Sequence, residues 1–328
     1  MNKALLAIII PTYKARFLQS TLSSIALQTC NNFHLYVGDD ASPEDIYTVV
    51  KSFEKKVPLT YHRFEDNLGG ISLTRQWERC IALSRNEPYI WLFPDDDVMP
   101  EDAVERFYSY LKIQPDADVF RFPLKLINSK GQTVGNNRIF PKFEVGSDFL
   151  LRRLHASVHS AITEFIFSRE IYHRYMGFVE FPLAWCSDTA TIALYTKYKP
   201  MVSIPGNAVC WRTTDSTNIS SSTNMNNAKF EAHMQFIRWI GQNFSEYKLT
   251  KFKKAILFYL EFVFAYVLNN LPPKGAKRLT RSYLTDEYGY FKGNFLFLKL
   301  NARLSLYYPY RSIRRKMVSA YLNLANKL

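Results

Sequence analysis

The chain reads as an α/β protein: a mostly parallel, Rossmann-type sheet flanked by helices, followed by an α-helical C-terminal extension. Three observations predict this. Over the first hundred residues, short apolar runs alternate with amphipathic helical patterns. Polar clusters follow three of those runs directly: PTYK, GDDAS and PDDD. The charge is also divided unevenly. Residues 1–247 carry 26 Lys+Arg and 26 Asp+Glu, and residues 248–328 carry 16 and 3, so the whole net charge of +13 lies in the last quarter.

Each element follows from its pattern. ALLAIII predicts a buried strand, and ARFLQSTLSSIALQ spaces Phe17, Leu18, Leu22, Ile25 and Leu27 as a helix does. FHLYVGDD is a second strand ending in acids. SPEDIYTVVKSFEKK predicts a helix with Ser42 as N-cap and Pro43 at the first helical position. PLTYHRF is a third strand, GGISLTRQWERCIALS a helix after a glycine pair, and PYIWLF a fourth strand. Beyond residue 102, ADVFRFPLKLINSKGQTVG predicts a strand, a turn at Lys130-Gly131 and a return strand. SAITEFIFSREIYHRYMGF predicts a strand then a helix. WCSDTATIALYTKY predicts a helix, and PMVSIPGNAVCWR two short strands. DSTNISSSTNMNN is a polar loop, and from about residue 226 the pattern is helical. The expected division is a first domain over residues 1–225, in two halves (1–98 and 99–225), and an extension over 226–328.

Composition sets bounds. With 47% hydrophobic residues in 328, the chain is not low-complexity disorder. Cys30, Cys80, Cys186 and Cys210 are scattered with no C-x-x-C pair, which suggests neither a zinc site nor a disulfide framework and fits a reducing cytoplasm. The N-terminal apolar run is too short for a signal peptide, and none reaches the roughly 18 residues of a membrane span.

The stretch YIWLFPDDDVMPED carries the chemistry. Three adjacent carboxylates at a strand end repel one another unless something positive sits among them. Hard oxygen ligands suit Mg²⁺ or Mn²⁺, an ion that keeps waters and takes its other ligands from substrate phosphates. Asp95 and Asp97 form a D-x-D pair. An acidic turn capping the helix near Glu101 is the simpler alternative. In a parallel sheet the three polar clusters converge at the carboxyl ends of the strands, where ligands bind.

AIIIPTYKARFLQSTLSSIALQT, LYVGDDASPED, NLGGISLTRQWERC and YIWLFPDDDVMPED together resemble the successive blocks of the family 2 glycosyltransferases with the GT-A fold. The resemblance covers roughly residues 4–220. It implies an inverting transferase using a nucleotide-diphosphate sugar, commonly a UDP-sugar, with Mn²⁺ or Mg²⁺. It implies that Pro11, Thr12 and Tyr13 lie against the nucleoside and that Asp39 or Asp40 reads the base. Arg75 then lies near the base and phosphates, and Asp95, Asp96 and Asp97 at the ribose and metal. The family's D-x-D-D pattern is broken here by Pro94, which shifts the metal role to Asp96 or Asp97, with Asp97 favoured and Asp95 beside it. Asp188 in FPLAWCSDTATIA resembles the general base, where an acid pair is usual but Ser187 holds the first place; a helix cap is the alternative. Trp185 suits sugar stacking or the core, Arg212 a phosphate, and His159 and Glu164 an acceptor.

The basic, aromatic tail (KKAILFYLEFVFAYVLNNLPPKG and YRSIRRKMVSAYLNLANKL) suits an anionic membrane surface, or packing on the body or a second subunit. No nucleic-acid-binding motif accompanies it. The resulting expectation is a cytoplasmic enzyme, peripheral on the inner face of the membrane, that extends a capsule or O-antigen glycan, free or lipid-linked. A sugar-phosphate nucleotidyltransferase is disfavoured, because PTYKARF lacks the glycines of its phosphate loop. A non-catalytic scaffold is the other alternative.

Overall fold

The computed structural model describes residues 5–135, 140–155, 159–213, 226–270 and 273–302. The alternating patterns fold in the expected order: β1 (Leu6–Thr12), α1 (Leu18–Ala26), β2 (Phe33–Asp39), α2 (Ile46–Lys51), β3 (Leu59–Arg63), α3 (Leu73–Ile81) and β4 (Tyr89–Leu92). β1 is buried on both faces, as a continuous apolar run must be when helices cover both sides of a sheet. These strands pair in parallel in the order β3-β2-β1-β4. β2 and β3 lie on one side of β1 and β4 on the other, so the strand order reverses between β1 and β4. That reversal opens a crevice at their carboxyl ends.

α2 differs from expectation. Asp45, not Ser42, caps it by accepting from Thr48 N at 3.0 Å, so the helix starts three residues later than Pro43 suggests. Ser42 instead ties loops together: its hydroxyl donates to Tyr13 O at 2.6 Å and accepts from Glu44 N.

The second half adds α4 (Ala103–Ile113), β5 (Val119–Arg121), β6 (Leu124–Ile127), β7 (Phe143–Glu144), α5 (Gly146–Leu154), β8 (Phe165–Ser168), α6 (Arg169–Arg174), α7 (Ser187–Tyr195), β9 (Met201–Ser203) and β10 (Val209–Arg212). The main sheet runs β3-β2-β1-β4-β8-β5-β9-β7, with β8 antiparallel to both β4 and β5. β6 and β10 form a small parallel pair, and Val98 bridges to Cys210 on β10. After the turn at Gly131 (φ +79°) the return strand is a single bridge, Ile127 to Thr133.

Under the sheet, Leu18, Leu22 and Ile25 of α1 and Val104 and Phe107 of α4 pack with Ile8, Val37 and Trp91. Each such side chain contributes about 1.5–3 kcal/mol on burial. Trp91 stacks on Phe122 with centroids 4.9 Å apart.

The chain divides into two units, Met1–Lys253 and Lys254–Leu328. The expected boundary at 225/226 precedes α8 (Asn226–Asn243), whose Phe236 and Trp239 pack on Phe181 inside the first unit. α9 (Thr250–Asn270) crosses the division, and α10 (Pro273–Tyr288) and a helix over residues 290–302 follow. On that last helix Phe291, Phe295 and Leu298 are exposed at helical spacing. Among the described residues no helix is long and apolar enough to cross a membrane. The polar loop from 214 to 225 and the basic ending from 310 lie outside the described residues.

Candidate active site

The acidic loop is built by its two neighbours. Thr21 and Ser24 of α1, and Gln28 just past its end, follow one another at helical spacing and face residues 97–104. Thr21 Oγ1 donates to Asp97 O (2.8 Å), Ser24 Oγ accepts from Met99 N (3.0 Å), and Gln28 donates to Pro100 O (2.7 Å) and accepts from Val104 N (3.0 Å). From the other side, β10 supplies Arg212. Its backbone N donates to Asp97 Oδ1 at 2.8 Å and its Nε to Asp96 O at 2.7 Å. The guanidinium goes on to Asn128 O at 3.1 Å and lies 4.4 Å from the Phe17 ring centroid. Arg212 is thus a brace for the loop.

Asp95 stitches β4 to β1 across the crevice. Its Oδ2 accepts from Thr12 Oγ1 (2.9 Å), Tyr13 N (3.0 Å) and Lys14 N (3.2 Å). Burial raises its pKa, opposed by these three donors and by Lys14. Asp97 is fully buried, and burial followed by the neighbouring Asp96 pushes its carboxyl well above the usual carboxylate range. The triplet therefore does not have to hold three equal charges. Asp97 Oδ2 is enclosed without a hydrogen bond of normal geometry, next to Thr163. Asp97 is thus held on Oδ1 by Arg212 N and enclosed at Oδ2. Asp95 and Asp96 are half-buried.

The two acids expected at the base are also held. Asp39 takes Ser42 N on Oδ1 (2.8 Å) and Tyr61 OH and Arg63 Nη1 on Oδ2 (both 2.7 Å). Asp40 accepts from Leu68 N and Gly69 N (both 2.9 Å) and pairs with Arg79. This explains the glycine pair: a Cβ on Gly69 would sit 2.5 Å from Asp40 Oδ2. Tyr13 is exposed, Pro11 half-buried and Thr12 buried.

Arg75 does not meet these acids. Its side chain is exposed, 3.9 Å from Glu180. Arg79, one turn further along α3, makes the pair with Asp40 and lies 3.9 Å over the Phe64 ring. TRQWER contains both arginines at i and i+4, and the motif alone does not choose between them.

The general-base candidate lies in a strained corner. Leu183, Ala184 and Cys186 have φ of 61°, 51° and 67°, left-handed for residues that are not glycine. Such strain costs on the order of 1–3 kcal/mol per residue and persists only where the surroundings enforce it. Here Ser187 Oγ accepts from Phe181 N (3.1 Å), and Trp185 Nε1 donates to His233 Nε2 on α8 (2.9 Å). Burial, with help from Arg153 and Lys229, lowers His233 to about 3, so the ring is neutral. Lys229 Nζ lies 4.9 Å over the Trp185 ring. Asp188 follows in the first turn of α7, accepting from Thr189 N at 2.6 Å, and burial raises its pKa. The turn Ile162–Glu164 bridges the two acid sites: Thr163 stands against Asp97, and Glu164 feels the charge of Asp188. Glu164 is fully buried, bonded to Ser160 Oγ at 2.5 Å, so it does not face an acceptor as expected. His159 is exposed, its ring 6.4 Å from Trp211. Arg79, His233, Thr163 and Arg153 were not singled out by sequence, because their partners lie far along the chain.

The family model for glycosyl transferase family 2 matches residues 7–175. The chain belongs to that family. Its fold is of the GT-A type. The S. aureus TarS fragment 1–349, in a crystal structure with UDP-GlcNAc, superposes with a TM-score of 0.63 at 14% identity, over 92% of this chain and 91% of that one. The same fragment with UDP gives 0.57 at 13% identity, over the same shares. By sequence, the poly(ribitol-phosphate) beta-N-acetylglucosaminyltransferase TarS of Staphylococcus aureus is 26% identical over 129 residues, 38% of this chain. The match spans 22% of that relative's length. The family 2 chain is thus a glycosyltransferase by membership.

Proposed function

We propose that the enzyme transfers a sugar, with inversion, from a UDP-sugar to a hydroxyl of a bacterial surface glycan such as a capsule or O-antigen. One observation carries this reading. Asp95, at the end of β4, is bonded to Thr12, Tyr13 and Lys14 at the end of β1, so the acidic loop and the nucleoside loop form one wall of the crevice. The co-crystallised UDP-GlcNAc and UDP of the TarS fragment favour a uridine diphosphate donor. Asp39 has one Oδ1 lone pair outside its three bonds with which to accept from the uracil N3–H, once the surrounding loop parts to admit the base.

A divalent metal fits the donor set. The loop offers hard carboxylate oxygens, and among the described residues no group of three or more His, Cys, Asp or Glu could hold an ion alone. That suits Mg²⁺ or Mn²⁺ shared with a diphosphate. Asp96 and Asp95 would hold it, with Asp97 as the strut beneath. Such a metal neutralises charge on the departing diphosphate. Asp188 removes the proton of the acceptor hydroxyl as its oxygen bonds to the anomeric carbon. The carbon–oxygen bond to the diphosphate breaks, and the electron pair leaves with the diphosphate. The raised pKa of Asp188 makes it a stronger base. Trp185, clamped by His233, gives the acceptor sugar a platform.

The last helix supports peripheral attachment to the cytoplasmic face of the membrane. Phe291, Phe295 and Leu298 are exposed beside Lys292 and Lys299. A thermal-shift panel of UDP, GDP, CDP, dTDP and ADP, with and without Mn²⁺, tests the donor site in wild type and Asp96→Asn. A shift with UDP that needs metal and is lost in the variant is expected. A shift with another diphosphate alone, or one indifferent to Mn²⁺, refutes the donor or the metal assignment respectively.

A further inference from the structure

A cavity among the described residues lies away from the crevice. It has a volume of about 570 Å³ and opens where β4 begins and β8 ends, at Pro88, Tyr89 and Ser168. Asp95 lies beyond the other end of β4. Six residues of extended chain span at most about 20 Å, so the two sites are that far apart or less.

The walls define what the cavity accepts. Arg169, Arg174 and Lys199 line it together with Asp116, Asp118 and Glu170. The cations are matched: Lys199 Nζ lies 3.2 Å from Asp118, Arg174 2.5 Å from Glu170, and Arg169 4.0 Å from Glu87. Such a site has no excess charge with which to hold a phosphate or other anion. It offers donors and acceptors side by side, the complement of a polyhydroxylated neutral ligand.

Aromatic rings complete it. Tyr89 and Tyr195 are buried in the wall, with Tyr195 OH donating to Gly177 O at 2.9 Å. Tyr175 stacks on Tyr195 with centroids 5.8 Å apart. Tyr198 stands at the rim, 81% exposed, with Lys197 Nζ 5.0 Å from its ring centroid. An exposed tyrosine ring at the mouth of a polar cavity gives the apolar face of a sugar ring something to lie on. The volume falls within the range of small-ligand sites.

We infer that this cavity is a second saccharide site, which holds a neutral stretch of the acceptor glycan outside the reaction cleft. It rests on the glycan-acceptor reading above. Its position, at the opposite end of β4 from the acids, suits an acceptor chain long enough to run along the protein from one site to the other. A monosaccharide acceptor gains nothing from it, and a long acceptor gains affinity from both ends.

The test is binding of the full chain to an array of neutral and anionic bacterial oligosaccharides, for wild type, Tyr198→Ala and Asp116→Ala. The UDP thermal shift is run on the same preparations. Wild type should retain at least one neutral oligosaccharide. Each variant should weaken that retention about tenfold, the equivalent of one lost aromatic or charged contact. The UDP shift and melting temperature should stay as in wild type, since Tyr198 and Asp116 are exposed and outside the cleft. Retention of anionic glycans only, equal retention by the variants, or no retention by a wild type that still binds UDP each overturns the inference. Loss of the UDP shift in wild type would instead strike the donor reading.

Discussion

Glu164→Gln isolates the electrostatics beneath the cleft. Glu164 is fully buried, its Oε2 has no hydrogen bond, and burial raises its pKa from 4.5 to about 8. Arg121 and Arg153 and the Ser160 hydroxyl oppose the rise, while Asp188 adds to it. Arg121 is already committed to Glu144 at 2.6 Å, which limits what it can give Glu164. A folded-state pKa above the unfolded value means the fold binds the proton more tightly. The protonated acid's contribution is therefore complete below about pH 4.5 and is lost as pH rises toward 8. From 4.5 to about 8, at about 1.36 kcal/mol per pH unit, the ceiling is about 5 kcal/mol, and about 3 of it is gone by pH 7. Gln is neutral throughout and keeps an acceptor for Ser160. Wild type and variant should be equally stable near pH 4, and the variant should gain over wild type through neutrality. Urea unfolding followed by tryptophan fluorescence reads this, since all five tryptophans lie between residues 77 and 239, in the first unit. Parallel stability curves from pH 4 to 8 would refute the argument and show Glu164 ionised against Arg121.

Other outcomes follow from the same geometry. Arg79→Met should cost about 3 kcal/mol, because it leaves Asp40 nearly buried with backbone donors alone; an unchanged melting temperature would show that Leu68 and Gly69 suffice. Asp188→Asn should keep the UDP shift and lower kcat by about 10²–10⁴, and a lost shift would make Asp188 a binding residue. His233 should stay neutral from pH 5 to 8, since burial holds it near 3, so Trp185 emission should be flat over that range. A titration of the emission near pH 6 would show an open ring. His233→Phe should raise the acceptor KM while the UDP shift stands.

The half of the fold that alternates strand and helix was legible because each strand is a continuous apolar run and each helix has its own period. The acids were legible for a related reason: parallel strands put their carboxyl ends on one edge, so PTYK, GDDAS and PDDD had to meet. Pairings between distant segments left no local trace. Nothing in FIFS announces that β8 inserts antiparallel between β4 and β5, and nothing in CWR announces that Arg212 braces a loop 115 residues earlier. Side-chain direction was equally silent. Asp95, Asp96 and Asp97 are alike as letters, and α1 and β10 decide which is turned inward. Arg75 and Arg79 are likewise distinguished only by which side of α3 meets Asp40.

The Trp185–His233 bond joins segments 48 residues apart, with the wall of the cleft made before the helix that holds it. On the ribosome, a chain that has emerged as far as Asp188 carries every acid assigned to the proposed reaction and no α8. The left-handed corner at Leu183, Ala184 and Cys186 then has no clamp, and Phe181 is bare of Phe236 and Trp239. On the proposed assignment the donor residues lie on and after the first four strands, and the residues that clamp Trp185 and Phe181 lie on α8, which ends at residue 243. The residues that would seat the sugar's carrier are therefore all made before those that steady the proposed place of transfer.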